Sequence, residues 1–136
     1  MKIVLDSGAK MPERAHKFDA GLDLFAKEQV TVPAHSRASC DTGVHIQIPQ
    51  GFVGMLTSKS GLMRKDGITC RGTIDSGYTG SIQAVLFNHS DKDKVFNPGD
   101  KVTQLVIYPI EIPFLKLVET LDETERGENG FGSTGN

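Results

Sequence analysis

The chain has 136 residues, 38% of them hydrophobic, which is enough for one domain with a real core and leaves little room for a second. Fifteen Lys and Arg against 17 Asp and Glu give a formal net charge of −2, which argues against a general nucleic-acid binder. No apolar run approaches the roughly 20 residues that span a bilayer, and the N-terminus shows no signal-peptide pattern, so we expect no membrane partner and a cytoplasmic location.

Short segments with the two-residue period of strands follow one another along the chain, separated by turn signals. The alternation is clearest in 43–49, where Val44, Ile46 and Ile48 alternate with polar residues. Strands are predicted over residues 2–5, 29–32, 43–49, 52–56, 81–88 and 102–110. The only helix candidate is 60–65. This pattern predicts an all-β barrel or sandwich.

The composition changes near residue 121. Residues 123–136 hold four glycines and several charges, a composition that does not bury enough surface to order itself. The same segment carries Arg126, which can grip a phosphate bidentately, and Phe131, whose ring can stack on a base. Ser133 and Thr134 add hydroxyl groups for further oxygens. These residues suit closure over a phosphorylated aromatic ligand.

Two short motifs each suggest a chemistry that the rest of the sequence does not support. Residues 58–61 read Ser-Lys-Ser-Gly, but a phosphate-binding P-loop needs glycine where Val53 and Ser58 stand. Asp41 and Asp75 each begin an Asp-Thr/Ser-Gly triplet, as in aspartic proteases. The triplets are only 34 positions apart, too close for one in each lobe of such an enzyme.

Metal clusters and covalent nucleophiles have no sequence support. The four histidines, His16, His35, His45 and His89, are isolated, and no Cys or His stands at zinc spacing. The two cysteines, Cys40 and Cys70, are too few for a disulfide scaffold and are expected to be buried thiols. Two carboxylates remain of interest: Asp23 inside an apolar strand-like run, and Asp75 in a predicted tight hairpin beside Tyr78.

Five stretches of the sequence, in order and at matching spacing, resemble the five motifs of the trimeric dUTPase family (deoxyuridine triphosphate nucleotidohydrolases). They are AGLDLFA at 20–26, SKSGL at 58–62 with its continuation to 68, GTIDSGYTG at 72–80, PGDKVTQLVI at 98–107 and RGENGFGSTG at 126–135. The match spans nearly the whole chain.

The resemblance implies an all-β, jelly-roll-like barrel of the β-clip type that forms a homotrimer with active sites at subunit interfaces. Residues 1–120 would form the barrel domain, and 121–136 a flexible arm that closes over an active site of the trimer. The reaction would convert dUTP and water to dUMP and pyrophosphate with Mg2+, which limits uracil in DNA and supplies dUMP for dTMP synthesis.

The resemblance also implies roles for individual residues. Asp75 would orient and deprotonate the water that attacks the α-phosphorus, and Asp23 would hold Mg2+ through bound water. The phosphates would meet Lys59, Ser60, Gly61 and Gln104, with Arg126, Gly132, Ser133 and Thr134 covering the γ end. The hairpin from 69 to 83 would read the nucleoside through Thr69, Thr73, Ile74 and Gln83, with Tyr78 on the sugar and Phe131 stacked on uracil.

The sequence departs from the usual family pattern at three positions. Lys59 and Lys101 stand where arginine is common, and lysine keeps the charge but lacks the bidentate fork. Thr69 stands where many relatives have asparagine.

Two other functions remain open. The related dCTP deaminases need a glutamate in the base pocket, and 72–88 contains none. The second alternative function is that of a regulatory protein whose C-terminal tail responds to nucleotide and so selects partners.

Overall fold

The computed structural model describes residues 1–130 of the chain. Within them it has ten strands and one helix: β1 (Lys2–Leu5), β2 (Leu22–Phe25), β3 (Val30–Val32), β4 (Arg37–Asp41), β5 (Val44–Gln47), β6 (Phe52–Thr57), α1 (Ser60–Asp66), β7 (Ile68–Ile74), β8 (Gln83–Asn88), β9 (Lys94–Phe96) and β10 (Lys101–Pro109). The all-β prediction is confirmed. Each of the six predicted strand segments coincides with a strand, and the predicted helix is α1.

Every pair of neighbouring strands is antiparallel. Six strands form one sheet in the order β2-β10-β6-β7-β8-β4, and two ribbons, β1-β5 and β3-β9, complete the fold. Strands β2 and β4 are the edge strands of this sheet, and the sheet curls so that the chain just after β2 meets the end of β4, where the Lys27 N–H donates to the Asp41 carbonyl oxygen at 3.0 Å. The central position of β6 and β7 places the loops at their ends beside both neighbouring strands.

One face of the six-stranded sheet covers the core. Along β8, Ala84 and Leu86 are buried while Val85 and Phe87 between them are exposed, as the two-residue period requires. Leu56 and Leu105 extend the core across the sheet. At the end of β8 the buried Asn88 amide donates to the carbonyl oxygens of Val32 and Lys92, so this buried polar group is satisfied.

Both cysteines lie in this core, and the prediction of buried thiols is confirmed. Burial raises the pKa of the Cys40 thiol to about 11 and also raises the pKa of Cys70. Both groups are therefore neutral thiols at physiological pH and lack the thiolate needed for nucleophilic attack.

The opposite face of the sheet is apolar and partly open. The outer apolar face consists of Met55, Val85, Phe87, Val106 and Tyr108, and Met55 pairs directly with Val106 across β6 and β10. After Pro109 the chain forms no further helix or strand up to residue 130, and it exposes several large apolar side chains, among them Ile112, Phe114 and Leu117. Within residues 1–130, no helix has the length and apolar character needed to cross a membrane.

Candidate functional site

At one end of the sheet, a buried carboxylate lies between two ammonium groups. Asp23 on β2 is opposite Gln104 on β10, which is in turn opposite Thr57 at the end of β6. This register brings the loop after β6 next to Asp23, whose side chain is only 7% exposed. Lys59 in that loop pairs with one carboxylate oxygen, and Lys101 on β10 pairs with the other at 2.8 Å. We call Asp23, Lys59 and Lys101 the cation cluster.

The ion pairs of the cation cluster favour the charged forms of Asp23 and Lys101. Burial alone would favour the neutral acid, but the hydrogen bonds from Lys101 and Lys59 outweigh it and lower the pKa of Asp23. The same contact with Asp23 raises the pKa of Lys101, which also approaches Glu13 at 3.5 Å. The two ammonium groups of the cluster therefore face one buried carboxylate, Asp23, and one half-exposed carboxylate, Glu13.

Gln104 fills the space between the cation cluster and the start of α1. Its Nε2 donates to the Ser58 carbonyl oxygen at 3.4 Å. A Cβ at Gly21 would lie 2.5 Å from Gln104 Oε1, so glycine is required there for this side chain to reach its position. Ser60 and Gly61 are exposed at the first residues of α1, next to Lys59. The predicted phosphate-binding residues of the second and fourth motifs thus lie together.

A groove of about 700 Å³ runs from this end along the outer face of the sheet. It is lined by Met55, Leu56, Thr57, Ser58, Thr69, Cys70, Arg71, Phe87 and Tyr108. Within the part of the chain that the structure describes, Thr57 Oγ1 is the buried side-chain oxygen or nitrogen atom that has no hydrogen-bond partner. Sequence reasoning missed Thr57, because only strand register shows that it stands between Gln104 and Arg71.

Strands β7 and β8 separate partway along their length. They pair only over Ile68–Asn88, Thr69–Phe87 and Cys70–Leu86. Beyond that point residues 71–74 pair with β6, and residues 83–85 pair with β4. The backbone N–H and C=O groups that face each other across the gap therefore have no strand partner within residues 1–130. Such a gap can receive a planar group that carries its own donors and acceptors.

The loop of residues 75–82 closes the far end of this gap. Asp75 follows the last residue of β7 and is exposed. The loop has eight residues, so the predicted tight hairpin is wrong. A turn forms where the Tyr78 N–H donates to the Asp75 carbonyl oxygen at 3.0 Å. The Tyr78 hydroxyl donates to the Ser81 carbonyl oxygen at 2.9 Å, which lays the ring over Gly80, where a Cβ would collide with it.

The remaining predicted nucleoside-binding residues are distributed along β7 and β8. Thr73 and Ile74 precede Asp75, with Thr73 exposed on the outer face and Ile74 in the core. The Gln83 amide bridges to β4, donating to Asp41 at 2.8 Å and accepting from Ser39 at 3.1 Å. Thr69 lies at the other end of β7, in the groove, where its hydroxyl contacts His89 Nε2 at 2.9 Å.

Asp75 and the cation cluster lie at opposite ends of the sheet in one chain. Ile74 pairs with Gly54, so Asp75 is level with Val53, five residues before Ser58. At about 3.3 Å per residue, this separates Asp75 from the start of the Lys59 loop by roughly 16 Å. A single chain therefore does not bring its own Asp75 next to its own Lys59.

The predicted arm residues fall on both sides of the end of the described chain. Arg126 is exposed, and its Nε donates to the Asn129 carbonyl oxygen at 2.9 Å. Phe131, Gly132, Ser133 and Thr134 lie outside the described residues.

The residues around Asp23 fit one way of holding magnesium. Within residues 1–130 no three His, Cys, Asp or Glu side chains converge as a ligand set. Each Asp23 oxygen already accepts from a lysine, but a carboxylate oxygen has a further lone pair. Magnesium keeps several waters and binds through few carboxylates together with phosphates. The donor set therefore fits a water-mediated site completed by a ligand, and does not fit an all-protein cage.

Comparisons with known proteins agree with this geometry. A sequence model described as dUTPase matches residues 7–135. The deoxyuridine 5'-triphosphate nucleotidohydrolase of Candida albicans is 43% identical, and the match covers 99% of this chain and 87% of that protein.

Solved structures give the same result. A variant of the Staphylococcus bacteriophage 80alpha dUTPase with dUpNHpp superimposes with a TM-score of 0.91 at 34% identity, covering 99% of this chain and 98% of that one. A variant of the dUTPase from phage phi11 of S. aureus, described as revealing how a structural Mg(II) ion is coordinated, superimposes with a TM-score of 0.81 at 35% identity over 88% of this chain and 96% of that one. With this coverage in sequence and in fold, the chain belongs to the dUTPase family.

Proposed function

We propose that this protein hydrolyses dUTP to dUMP and pyrophosphate. Family membership supports this activity, as does the dUTP analogue dUpNHpp in the phage 80alpha relative. The observation that carries the proposal is the gap between β7 and β8, which has Asp75 at its rim and unpaired backbone groups along its walls. A water-activating carboxylate and a base-sized slot are thus next to each other.

The gap is suited to reading uracil with the main chain. The unpartnered backbone groups of 71–74 and 83–85 would pair with the uracil edge as a complementary base does. Cytosine presents a donor where uracil has an acceptor, so it would leave buried groups unpaired, a costly mismatch. The thymine methyl would be excluded by crowding in the narrow gap. Thr73, Ile74 and Gln83 flank this slot, and Tyr78 would pack on the sugar and reject a 2′-hydroxyl.

Asp75 would act as general base for the attacking water. It is exposed at the rim of the gap, where water reaches it before the site closes. Phosphoryl transfer depends mainly on positioning and on neutralising charge. Lys59, Ser60, Gly61 and Gln104 would meet the phosphates, and the two partly exposed ammonium groups of the cation cluster beside them support this assignment. Thr69 at the groove stays a predicted substrate contact.

Magnesium would be held through water by Asp23 together with the triphosphate. When bound, it would neutralise phosphate charge and polarise the phosphoryl oxygens. For the chain itself, phosphate oxygens near Lys59 and Lys101 would compete with Asp23 for the two ammonium groups. That competition would free lone pairs on Asp23 for metal-bound water.

We propose that the active site is completed between the subunits of a homotrimer. The separation of roughly 16 Å between Asp75 and the Lys59 loop leaves each chain with two half-sites. The outer apolar face and the exposed apolar residues after Pro109 leave many large apolar side chains open to water, which is typical of a surface that another chain covers. Two copies that cover these surfaces would bring Asp75 of one subunit to the cation cluster of the next.

The arm of 121–136 would then close over a site of the trimer. Arg126 is exposed, and within residues 1–130 its guanidinium makes a local contact to Asn129, so it is available for phosphate. Phe131 would stack on uracil, with Gly132, Ser133 and Thr134 around the γ-phosphate. By removing dUTP and making dUMP in the cytoplasm, the enzyme would limit uracil in DNA and supply dTMP synthesis.

The first test is pyrophosphate release from dUTP, dTTP, dCTP and UTP in parallel, with Mg2+ and with chelator. We expect turnover of dUTP alone, and its loss with chelator. Ammonia from dCTP would contradict the proposal and assign the protein to the deaminases. Failure to turn over any nucleotide would instead favour a nucleotide-binding regulatory protein.

The matched variant for this test is Asp75→Asn. It keeps the shape and a hydrogen-bonding oxygen but removes the base, so turnover should fall at least about 10²-fold. Binding of dUpNHpp should be kept. Near-normal turnover would place the base on another residue.

A further inference from the structure

One histidine connects the loop of residues 75–82, which carries Asp75 and which we call the catalytic loop, to the end of β1. His45 is on β5, and its ring lies between the 75–82 loop and the end of β1. Its Nδ1 is 2.8 Å from the Thr79 carbonyl oxygen, and its Nε2 is 3.1 Å from Asp6 Oδ1. A carbonyl and a carboxylate only accept hydrogen bonds, and a neutral imidazole carries one N–H. Both contacts are therefore hydrogen bonds only when the ring carries two protons.

We propose that doubly protonated His45 is a positioning residue that holds the loop of residues 75–82 in place for the reaction. The proposal deepens the proposed function, since that loop carries Asp75 and Tyr78. The contacts of His45 are with a backbone carbonyl and with a carboxylate outside the loop. It acts on the backbone of Thr79, one residue from Tyr78, whose N–H is bonded to the Asp75 carbonyl oxygen.

The histidine is the first member of a chain of alternating charges. Asp6 accepts from His45 through one oxygen and from Lys27 at 3.1 Å through the other. Lys27 also pairs with Asp41 at 3.2 Å, and Asp41 accepts a short hydrogen bond from the Ser81 hydroxyl. We call His45, Asp6, Lys27 and Asp41 the anchor chain. It begins and ends on the catalytic loop, at Thr79 and at Ser81.

Within the anchor chain, only His45 changes its charge near neutral pH. Partial burial opposes ionisation of Asp41, but the Ser81 and Gly43 hydrogen bonds and the Lys27 ammonium outweigh it and lower the pKa of Asp41 to about 2. Hydrogen bonds from Lys27 and His45 lower the pKa of Asp6. Salt bridges to Asp6 and Asp41 raise the pKa of Lys27. Lys2 is a further charged residue on the same face of the β1-β5 ribbon as His45.

The sign of the pH dependence follows from the contacts of His45. The hydrogen bond to Thr79 raises the pKa of His45 above its ordinary 6.5, partial burial opposes this, and Asp6 adds to the rise. A group whose pKa is raised in the folded state gives its full contribution below 6.5 and loses it as the pH rises through the higher folded value. The loop should therefore be held in mildly acidic and neutral solution and released in alkaline solution.

The test compares the wild-type protein with His45→Gln and Asp6→Asn between pH 6 and pH 9. Ring-nitrogen NMR of His45, hydrogen exchange of the 75–82 amides, and KM and kcat for dUTP are measured together. His35→Gln is the matched control, because His35 also contacts a carboxylate, Asp91 at 2.8 Å, but lies on the exposed surface.

In the wild-type protein, both ring nitrogens of His45 should carry protons at pH 6, and loop protection should fall as His45 deprotonates. His45→Gln should remove this pH dependence and raise KM by about 3- to 10-fold at pH 6, as expected for one lost hydrogen bond. The variant and the wild-type protein should converge in alkaline solution. Asp6→Asn should move the wild-type transition to lower pH, which a merely structural contact would not do.

Two results would overturn the proposal: a singly protonated His45 at pH 6, or loop protection that is independent of pH in the wild-type protein. The exchange and NMR readouts do not need turnover. Expected loop behaviour without dUTP hydrolysis would therefore support the anchor chain and overturn the proposed function. Normal dUTP hydrolysis, together with loop exchange that is the same in the wild-type protein and in His45→Gln, would support the proposed function and overturn the role of the anchor chain.

Discussion

The carboxylate of Asp23 is buried, which is an unusual environment for a charged side chain. An isolated charge at 7% exposure would be strongly disfavoured, but ammonium groups of Lys59 and Lys101 bond both of its oxygens. The lysines are more exposed than the carboxylate, at 23% and 39%. The arrangement thus keeps the anion fixed and leaves the cations able to turn toward a ligand.

Asp23→Asn should therefore destabilise the protein in a pH-dependent way. The amide keeps the shape but leaves two lysines without their anion, and we expect a loss of about 1–3 kcal/mol in the free energy of unfolding at pH 7. Because the pKa of Asp23 is lowered, its contribution is present above 3.8 and is lost as the pH falls through the lower folded value. Urea unfolding at fixed protein concentration measures the difference.

The difference in the free energy of unfolding between the wild-type protein and Asp23→Asn should shrink in solutions well below pH 3.8, because the wild-type carboxyl becomes neutral as well. Asp91→Asn is the control, since Asp91 pairs with His35 at 2.8 Å but its side chain is 94% exposed, so the change should alter stability little. A difference that stays constant from pH 7 to the acid limb would contradict the ion-pair explanation.

At the scale of elements, the sequence predicts most of the strands with clear apolar alternation and misses β4, β7 and β9. The clear alternation of residues 43–49 predicts a strand, and the structure has β5 there. Strand β4, Arg37–Asp41, has no large apolar residue, and β9 has only three residues, so neither shows a pattern. Both are strands because β8 and β3 supply hydrogen-bonding partners from distant parts of the chain.

The predicted arm is the element on which binding should act most strongly. Residues 121–130 are exposed and form neither helix nor strand. With Mg2+ and dUpNHpp, hydrogen exchange from Arg126 onward should slow, because a segment that orders on binding gains protection. Arg126→Gln should weaken that protection, while Lys116→Gln, on the exposed stretch before the arm, should leave it unchanged. Equal exchange with and without the analogue would rule out closure of the arm.

At the scale of the whole molecule, the candidate site shows what motif spacing leaves undetermined. The motif order indicates which residues belong to the family pattern. It does not show that Asp75 and Lys59 stand at opposite ends of β6 and β7, because that depends on strand register. Nor does it identify Thr57 or the anchor chain, whose members follow β1 and β2, end β4 and lie on β5, and meet only in the folded chain. Isolated His45 carried no signal in the sequence for the same reason.

A trimer with shared sites should show complementation between two inactive variants. Asp75→Asn would lack the proposed base and Lys59→Ala a proposed phosphate-binding cation, so a homotrimer of either variant should be nearly inactive. In trimers mixed at equal ratio, a site that takes Asp75 from one subunit and Lys59 from the next is intact in about a quarter of cases. The mixed sample should therefore regain about a quarter of the wild-type turnover.

Two measurements make this outcome decisive. Light scattering of each variant should give the mass of three chains, which excludes loss of assembly as the cause of inactivity. A double variant carrying both substitutions, mixed with wild-type protein, serves as the control for subunit exchange. If instead one chain must supply both Asp75 and Lys59 to a site, the two single variants will remain inactive when they are mixed. That result would contradict a shared site and would mean that each site forms within one subunit.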